Sequence, residues 1–452
     1  MDAVLLARIQ FAVTVGFHFL FPPITIGLAW LLVIMEGWGW RSGDPVWQRM
    51  GRFFGKLFAL TFAVGVATGI VMEFQFGTNW ADYSRFVGDI FGAPLAAEGI
   101  FAFFLESAFL GLYLFGRGRV SAGVHFFSIL MVAVGATISA FWILVANSWQ
   151  QTPAGFALVD GRAELTSFAE AVFNPSMWPR FNHTMVASLI TGAFFVMGVS
   201  AWMLLKRKGD AVAARGLKLG AAAAAISSLL AVFPTGHLHA SQVARTQPEK
   251  FAAIEGLYQS HDSAPLVLFA LPTTAPPELH ATIEIPALLS WMAFGDPDAP
   301  IKGLDAFAAD QVPRGNELWL SFVSFHNMVL LGLLFVGTSW LALLLWWRRK
   351  LLGARWFLKL VVLVAPLTLA ASQFGWIAAE VGRQPWIVYK LLRTSDAVSP
   401  RVSAGEVLFS LILFGLVYLA LGALWIFLLH REASHGPPAA TAADGEPSEE
   451  VA

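Results

Sequence analysis

Nine stretches of about 20 or more mostly apolar residues, near 9–35, 54–76, 94–115, 123–146, 183–205, 216–234, 318–347, 356–379 and 404–430, constrain this chain more than any other feature. Each is long enough to cross a ~30 Å hydrocarbon layer as a helix, and in hydrocarbon only helices and closed barrels satisfy every backbone N–H and C=O. The expected fold is an all-α integral membrane protein with about nine transmembrane helices. These spans carry His18, Glu73, Glu98, Glu106, His183 and Glu380 within or at the edge of the membrane. A charge at the bilayer centre costs at least ~2.5 kcal/mol, so such groups demand partners, a cavity or a bound cofactor.

Charged residues make up 13% of the 452, against about a quarter in a soluble domain. A net charge of −1 gives no reason to expect nucleic acid, which would call for a concentrated basic face. With no cysteine, disulfides, thiolate metal sites, iron–sulfur clusters and a cysteine nucleophile are excluded. Asp2 precedes the first cation, Arg8, and the first apolar run reads as a full span with no small-residue cleavage site, so no cleavable signal is expected.

Nine crossings put the termini on opposite sides. One alternating set of short connections holds 17 of the 29 Lys and Arg residues, among them Arg41, Arg49, Arg52, Lys56, Arg117, Arg119, Arg348 and Arg349. The positive-inside bias then places the N-terminus outside and the C-terminus in the cytoplasm. The chain divides into helices one to six (1–234), an outer segment (235–317), helices seven to nine (318–430), and a tail (431–452) rich in Pro, Ala, Glu and Ser that is expected to be disordered. Structureless connections as long as the outer segment are usually functional. No internal repeat is evident, which argues against an inverted-repeat transporter.

With this orientation His18 lies roughly 14 Å along the first helix from Ile9. A lone imidazole on an apolar helix is commonly a satisfied core histidine, but its neighbours strengthen the case for ligation. His183 opens the fifth span in Phe181-Asn182-His183-Thr184, and Met328 lies about ten residues into the seventh. A His and Met from two helices form a recognised axial set for an electron-transferring haem. Spacing alone decides little, since most of the 11 methionines serve as apolar filler.

Glu98 and Glu106 are separated by ~800° of helical rotation, roughly one face, which favours a proton relay over two carboxyls merely bonded to neighbouring helices. Glu380 and Arg383 are i,i+3 and can meet as a plain helix-end ion pair, with Trp386 an ordinary belt residue; on the residues alone that reading stands level with a functional one. Lys250-Phe251-Ala252-Ala253-Ile254-Glu255 reads as one or two helical turns able to grip and deprotonate a hydroquinone, or equally as a solvated amphipathic turn. His237 and His239 have a metal-like spacing, but no further closely spaced ligand completes a site.

Several strings occur together: Gln10 to Pro22 around His18, Gly65 to Trp80, Gly92 to Gly99 with Phe104-Leu105-Glu106-Ser107, Ile143 to Asn147, Phe181 to Thr184, and Gly382-Arg383-Gln384-Pro385-Trp386. They closely resemble subunit I of the cytochrome bd-type quinol oxidases over nearly all of the chain except the outer loop and tail. The resemblance implies three haems. His183 and Met328 match the axial ligands of a low-spin haem b, while His18 and Glu380 match axial positions at a high-spin haem b and haem d pair, which of them serves which being left open. Glu98 and Glu106 match carboxylates beside that pair and on its proton route, with Ser139 nearby. Arg383 and Trp386 match positions supporting haem propionates and electron transfer, and Glu73 is a further acidic group near the haem region. Lys250 and Glu255 match the quinol-site pair.

Two departures stand out. The outer loop, about 80 residues, is short and resembles the branch that includes cyanide-insensitive oxidases, so a second high-spin haem b is an alternative to haem d. His326 stands two residues before Met328 where better-known members carry Arg, so a propionate partner is expected to be lost or supplied differently.

The resemblance further implies a multi-pass protein of the bacterial cytoplasmic (inner) membrane that oxidises quinol at the outer face and reduces O2 to water. Protons for that water would come from the cytoplasm along Glu106 and Glu98, generating proton motive force by charge separation without pumping. It implies a second large membrane subunit and allows a small single-span one. The alternative is a proton-coupled membrane transporter without haem, which would show broken helices. A haem–copper oxidase needs more intramembrane histidines than His18, His183 and His326, with His125 near an inner end. A purely structural subunit would leave the buried acids without a role.

Overall fold

The computed structural model describes residues 2–206, 210–274 and 277–438. Among them, nine helical spans are long and apolar enough to cross a membrane: Ala3–Ser42, Pro45–Thr78, Ala81–Phe115, Ala122–Gln151, Met177–Lys206, Ala211–Thr246, Asn316–Trp347, Arg355–Val381 and Ala404–His435. They contain the nine apolar stretches and extend them into polar end turns.

The first span is two helices, α1 (Ala3–His18) and α2 (Pro22–Ser42). Pro22 and Pro23 bring no N–H donors, so the His18 and Phe19 carbonyls gain no i+4 partner from them. The chain therefore breaks at 19–21, and His18 is the last residue of α1 rather than a position inside one unbroken helix. Helix α3 (Pro45–Thr78) starts from Asp44, whose Oδ1 accepts from the Val46 N–H at 2.9 Å, with Pro45 in the first turn where its missing donor costs nothing.

Helix α4 (Ala81–Ala97) contains Pro94 and runs through a π turn (Glu98–Phe103) into α5 (Phe104–Phe115). A π turn closes i→i+5 bonds and so absorbs one extra residue. The rotation between Glu98 and Glu106 falls from ~800° to about 700°, within ~20° of two whole turns, and the two carboxyl-bearing residues come into closer register than a regular helix would give. Such turns cluster at functional sites.

Helix α6 (Ala122–Gln151) leads to a hairpin of β1 (Phe156–Val159) and β2 (Arg162–Leu165), the short α7 (Phe168–Val172), then α8 (Met177–Lys206) and α9 (Ala211–Leu230). A second π turn at Ala231–Gly236, holding Pro234, joins α9 to α10 (His237–Thr246). The segment from 235 to 317, expected as a structureless connection, is largely ordered. It contains α10, the two-turn α11 (Pro248–Glu255) ended by Gly256 at φ 73°, a hairpin of β3 (Leu266–Thr274) and β4 (Pro277–Ile285), and α12 (Leu288–Phe294). Seven consecutive residues of α11, Glu249 to Glu255, are buried, so the solvated-turn reading of this stretch is overturned.

The last part comprises α13 (Asn316–Trp347), α14 (Arg355–Val364), α15 (Leu367–Val381), a small hairpin of β5 (Trp386–Val388) and β6 (Leu392–Arg393), and α16 (Ala404–His435). Helix α16 continues past 431, so the start of the expected tail is helical; residues 439–452 lie outside the described residues.

Helices α2, α8 and α9 form the centre of the bundle, with Leu28, Leu32, Met35, Phe53, Phe54, Phe58 and Phe194 fully buried around them. Gly27 and Gly192 let α2 and α8 meet backbone to backbone: a Cβ on Gly27 would stand 2.8 Å from the Gly192 nitrogen. Small residues at such crossings are how membrane helices gain packing contact when lipid is as apolar as the side chains.

Candidate functional site

One cavity of about 1670 Å³ runs through the bundle, larger than the ~300–1,000 Å³ of an ordinary small-molecule pocket. His18, Glu73, Glu98, Glu106, Ser139, His183, Lys250, Glu255, Met328, Glu380 and Arg383 all reach its wall. Of the residues predicted from the sequence, Trp386 alone does not line it, although Arg383 binds its backbone carbonyl through Nε at 3.2 Å.

His18 Nδ1 lies 3.1 Å from Thr68 Oγ1, and that hydroxyl also sits 3.0 Å from both Val64 O and Gly65 O. The hydroxyl proton is spent on the α3 carbonyls, so Thr68 accepts from Nδ1–H and Nε2 keeps a free lone pair. This is the arrangement by which an outer hydrogen bond fixes the tautomer of a metal-binding histidine. Gly69 makes room beside it, since a Cβ there would lie 3.1 Å from His18 Cε1.

His183 repeats the device. Its Nδ1 lies 3.4 Å from Thr235 Oγ1, which donates to Leu230 O at 2.8 Å across the second π turn. Met328 faces Gly375 of α15, where a Cβ would stand 2.9 Å from the sulfur. The His239 ring is centred 5.6 Å from that of His183, and its Nε2 is buried without a hydrogen-bond partner.

On the α4–α5 side, Ser139 Oγ donates to Glu98 Oε1 at 2.6 Å. Glu106 is buried against α6, and a Cβ on Gly135 would meet Glu106 Cβ at 3.1 Å. Glu73 is exposed in the isolated chain, on a face with Ile70, Phe74, Phe101 and Phe104.

Glu380 sits in a buried group with three basic side chains, Arg180, Lys250 and Arg383. Its Oε2 accepts from Arg383 Nη2 at 2.5 Å, and its Oε1 from Asn147 Nδ2 at 3.0 Å and Gln151 Nε2 at 3.3 Å. Three bonds occupy three of about four lone-pair positions, leaving one for a ligand. Arg180 Nη1 reaches Asn147 Oδ1 at 3.2 Å, while its Nε and Nη2 are buried and unpartnered, as is Trp386 Nε1. Lys250 Nζ donates to Gln151 Oε1 at 3.0 Å; burial, reinforced by Arg180, holds its ammonium well below the usual lysine range.

Glu255 is buried with Oε2 unpartnered, and burial pushes its carboxyl up to about 8. No ion pair joins Lys250 and Glu255 among the described residues. His326 places Nδ1 3.0 Å from Phe322 O and Nε2 3.1 Å from Val267 O, so both nitrogens face backbone carbonyls and the single N–H of the neutral ring is spent on one of them.

The donor set fits haem. Two histidines with a fixed free nitrogen, a thioether and a carboxylate are donor types that iron accepts, and buried unpartnered donors at Arg180 and Trp386 suit the carboxylates of a tetrapyrrole, because buried donors in native proteins are nearly always satisfied. No three His, Asp or Glu side chains cluster to hold a free metal ion among the described residues. Arg180, Thr68, Thr235 and Gln151 escaped the sequence reading, and His239 entered it only as half of a metal-like pair with His237. Arg180 alone carried a usable signal, a cation three residues before His183 on the same helical face.

Residues 6–437 match the family model described as cytochrome bd terminal oxidase subunit I. The chain is 42% identical over 446 residues to cytochrome bd ubiquinol oxidase subunit 1 of Bacillus subtilis, covering 96% of this chain and 94% of the relative. It is 37% identical to cytochrome bd-II ubiquinol oxidase subunit 1 of Escherichia coli, covering 97% and 98%. The fold superposes on the solved structure of a bd oxidase from Geobacillus thermodenitrificans with a TM-score of 0.89 at 31% identity, covering 96% of this chain and 99% of that one. The chain thus belongs to the cytochrome bd terminal oxidase subunit I family.

Proposed function

We propose that this chain is the haem-bearing subunit of a respiratory quinol oxidase in a bacterial cytoplasmic membrane, with its N-terminus outside and its C-terminus inside. The observation that carries this reading is the single cavity that joins α11, with Lys250 and Glu255, to two threonine-fixed histidines. His183 and Met328 would hold a low-spin haem b; His18 and Glu380 would hold a high-spin haem b and a haem d or second high-spin haem b. When bound, these groups carry electrons from quinol to oxygen.

The chain's own residues position and supply protons. Quinol gives up two electrons and two protons. Glu255, unpartnered and titrating near neutrality, takes a hydroxyl proton at the α11 end. Arg180 and Arg383, buried near Glu380, would neutralise the cofactor's carboxylates. Each O2 takes four electrons and four protons to give two waters, and Glu106, Glu98 and Ser139 pass those protons in from the cation-rich side. Release on one side and uptake on the other separates charge without a pump.

Glu73 supports a second membrane subunit. A carboxyl on a lipid-facing surface is costly, and its neighbours Phe74, Phe101 and Phe104 are 71%, 67% and 65% exposed, so this apolar face is suited to be covered by protein.

The test is a reduced-minus-oxidised spectrum of the purified complex with pyridine haemochrome typing. Haem b with a red-shifted haem d band supports the full reading, haem b alone selects the second high-spin haem b, and no haem overturns it in favour of a proton-coupled transporter.

A further inference from the structure

We infer that a second cavity, opening beside Tyr389, is the exit for protons released from quinol, with Glu249, hydrogen-bonded to the lining residue Tyr389, as the relay residue. The inference rests on the quinol reading of α11. Protons taken up at Lys250 and Glu255 must leave a helix buried along nearly its whole length. The cavity has about 400 Å³ and is lined by Thr152, Thr246 and Tyr389 among others.

The Tyr389 hydroxyl donates to Glu249 Oε2 at 2.5 Å, and Lys390 Nζ, half exposed, lies 2.9 Å from Glu249 Oε1. Glu249 itself is 4% exposed and adjoins Lys250 in the chain. Gln247 completes the connection. It stands between the cavity residue Thr246 and Glu249, is fully buried, and both its amide atoms lack a partner. Buried amides without protein partners are where ordered water sits, and water needs two to four polar partners to stay. The unpartnered Gln247 amide, two residues before Glu249, would supply two of them.

Burial and the Glu249 carboxylate hold the Tyr389 phenol above its ordinary range, so it stays protonated and serves as a hydrogen-bond conduit. A proton leaving the α11 site moves through water at Gln247 to a Glu249 oxygen. Glu249 then passes it by way of the Tyr389 hydroxyl, which lines the cavity, to cavity water and returns to its ion pair with Lys390. Two protons follow in turn for each quinol, while its two electrons go to the cofactors.

The same contacts could merely clamp α11 to the β5–β6 hairpin, so the test separates relay from clamp. In the purified complex in liposomes, Glu249→Gln and Tyr389→Phe are each assayed with quinol and with a ferrocene-type one-electron donor that carries no proton. A relay predicts an unchanged haem spectrum, ferrocene-driven oxygen consumption near wild type, a quinol kcat lowered at least ~10-fold at constant KM, and a larger solvent isotope effect, all restored by Glu249→Asp. An unchanged quinol kcat, or equal losses with both donors, overturns the relay. If Glu249→Gln fails to assemble, Tyr389→Phe decides, since it removes only an oxygen. Wild-type complex that reduces oxygen from the ferrocene donor but oxidises no quinol overturns the quinol reading itself, and the relay with it.

Discussion

Thr68 Oγ1 and His18 Nδ1 lie 3.1 Å apart although the residues are 50 positions apart in the chain, and the pair leaves Nε2 as the imidazole nitrogen with a free lone pair. Thr235 does the same for His183 at 3.4 Å across 52 positions. Replacing either threonine by valine keeps the shape and removes the acceptor. Loss of such an outer partner typically weakens a metal site ~10–100-fold. Thr68→Val is expected to lose a high-spin haem and Thr235→Val the low-spin haem, each without loss of the other, read as haem-to-protein ratios after washing in detergent.

Gly375 and Met328 give a steric test. A Cβ at 375 would press to 2.9 Å on the Met328 sulfur, so Gly375→Ala should displace the thioether and weaken or shift the low-spin haem band while the helices still form. Gly337→Ala, on the same helix as Met328 with open space around it, should leave the band unchanged and add up to ~1 kcal/mol of helix stability. Matching spectra for both variants would refute Met328 as a ligand.

The nine spans were legible because hydrocarbon demands unbroken apolar runs, and most site residues because an ionisable group in such a run stands out. The threonine partners were not, since hydrogen bonds spanning 50 residues leave no local pattern. The π turn at Glu98 was hidden too: Pro94 warns of a kink but not of an inserted residue. The order of the 235–317 segment comes from tertiary burial of α11 and from contacts such as His326 to Val267, which composition does not encode.

His326 ties α13 to the β3–β4 hairpin. The neutral ring has one N–H for two carbonyls: Phe322 O at 3.0 Å is a helix carbonyl four residues back, served by the backbone, so the N–H on Nε2 goes to Val267 O at 3.1 Å and its removal takes that donor from the hairpin. His326→Leu is expected to cost roughly 1–3 kcal/mol and to loosen that hairpin first. Limited proteolysis should cut within 266–285 several-fold faster than in wild type; equal cleavage rates would remove His326 as the tether.

Glu255 sets a pH dependence with a definite sign. Its carboxyl titrates at about 8 when folded against 4.5 as a free side chain, because burial disfavours the charge. Between those values the folded state binds more protons than the unfolded one, so this residue's contribution to stability falls as pH rises from 4.5 to about 8 and is fully unfavourable above it. Glu255→Gln removes the titration, so the variant should gain stability relative to wild type as pH rises, seen as a Tm difference that grows towards pH 8 and then levels. Catalysis runs the other way, since only the carboxylate can take a quinol proton. Wild-type quinol oxidation should therefore climb towards pH 8, while Glu255→Gln should be slow and without that limb, its haem content unchanged. A variant with normal quinol kinetics and the wild-type pH profile would remove Glu255 from the quinol site.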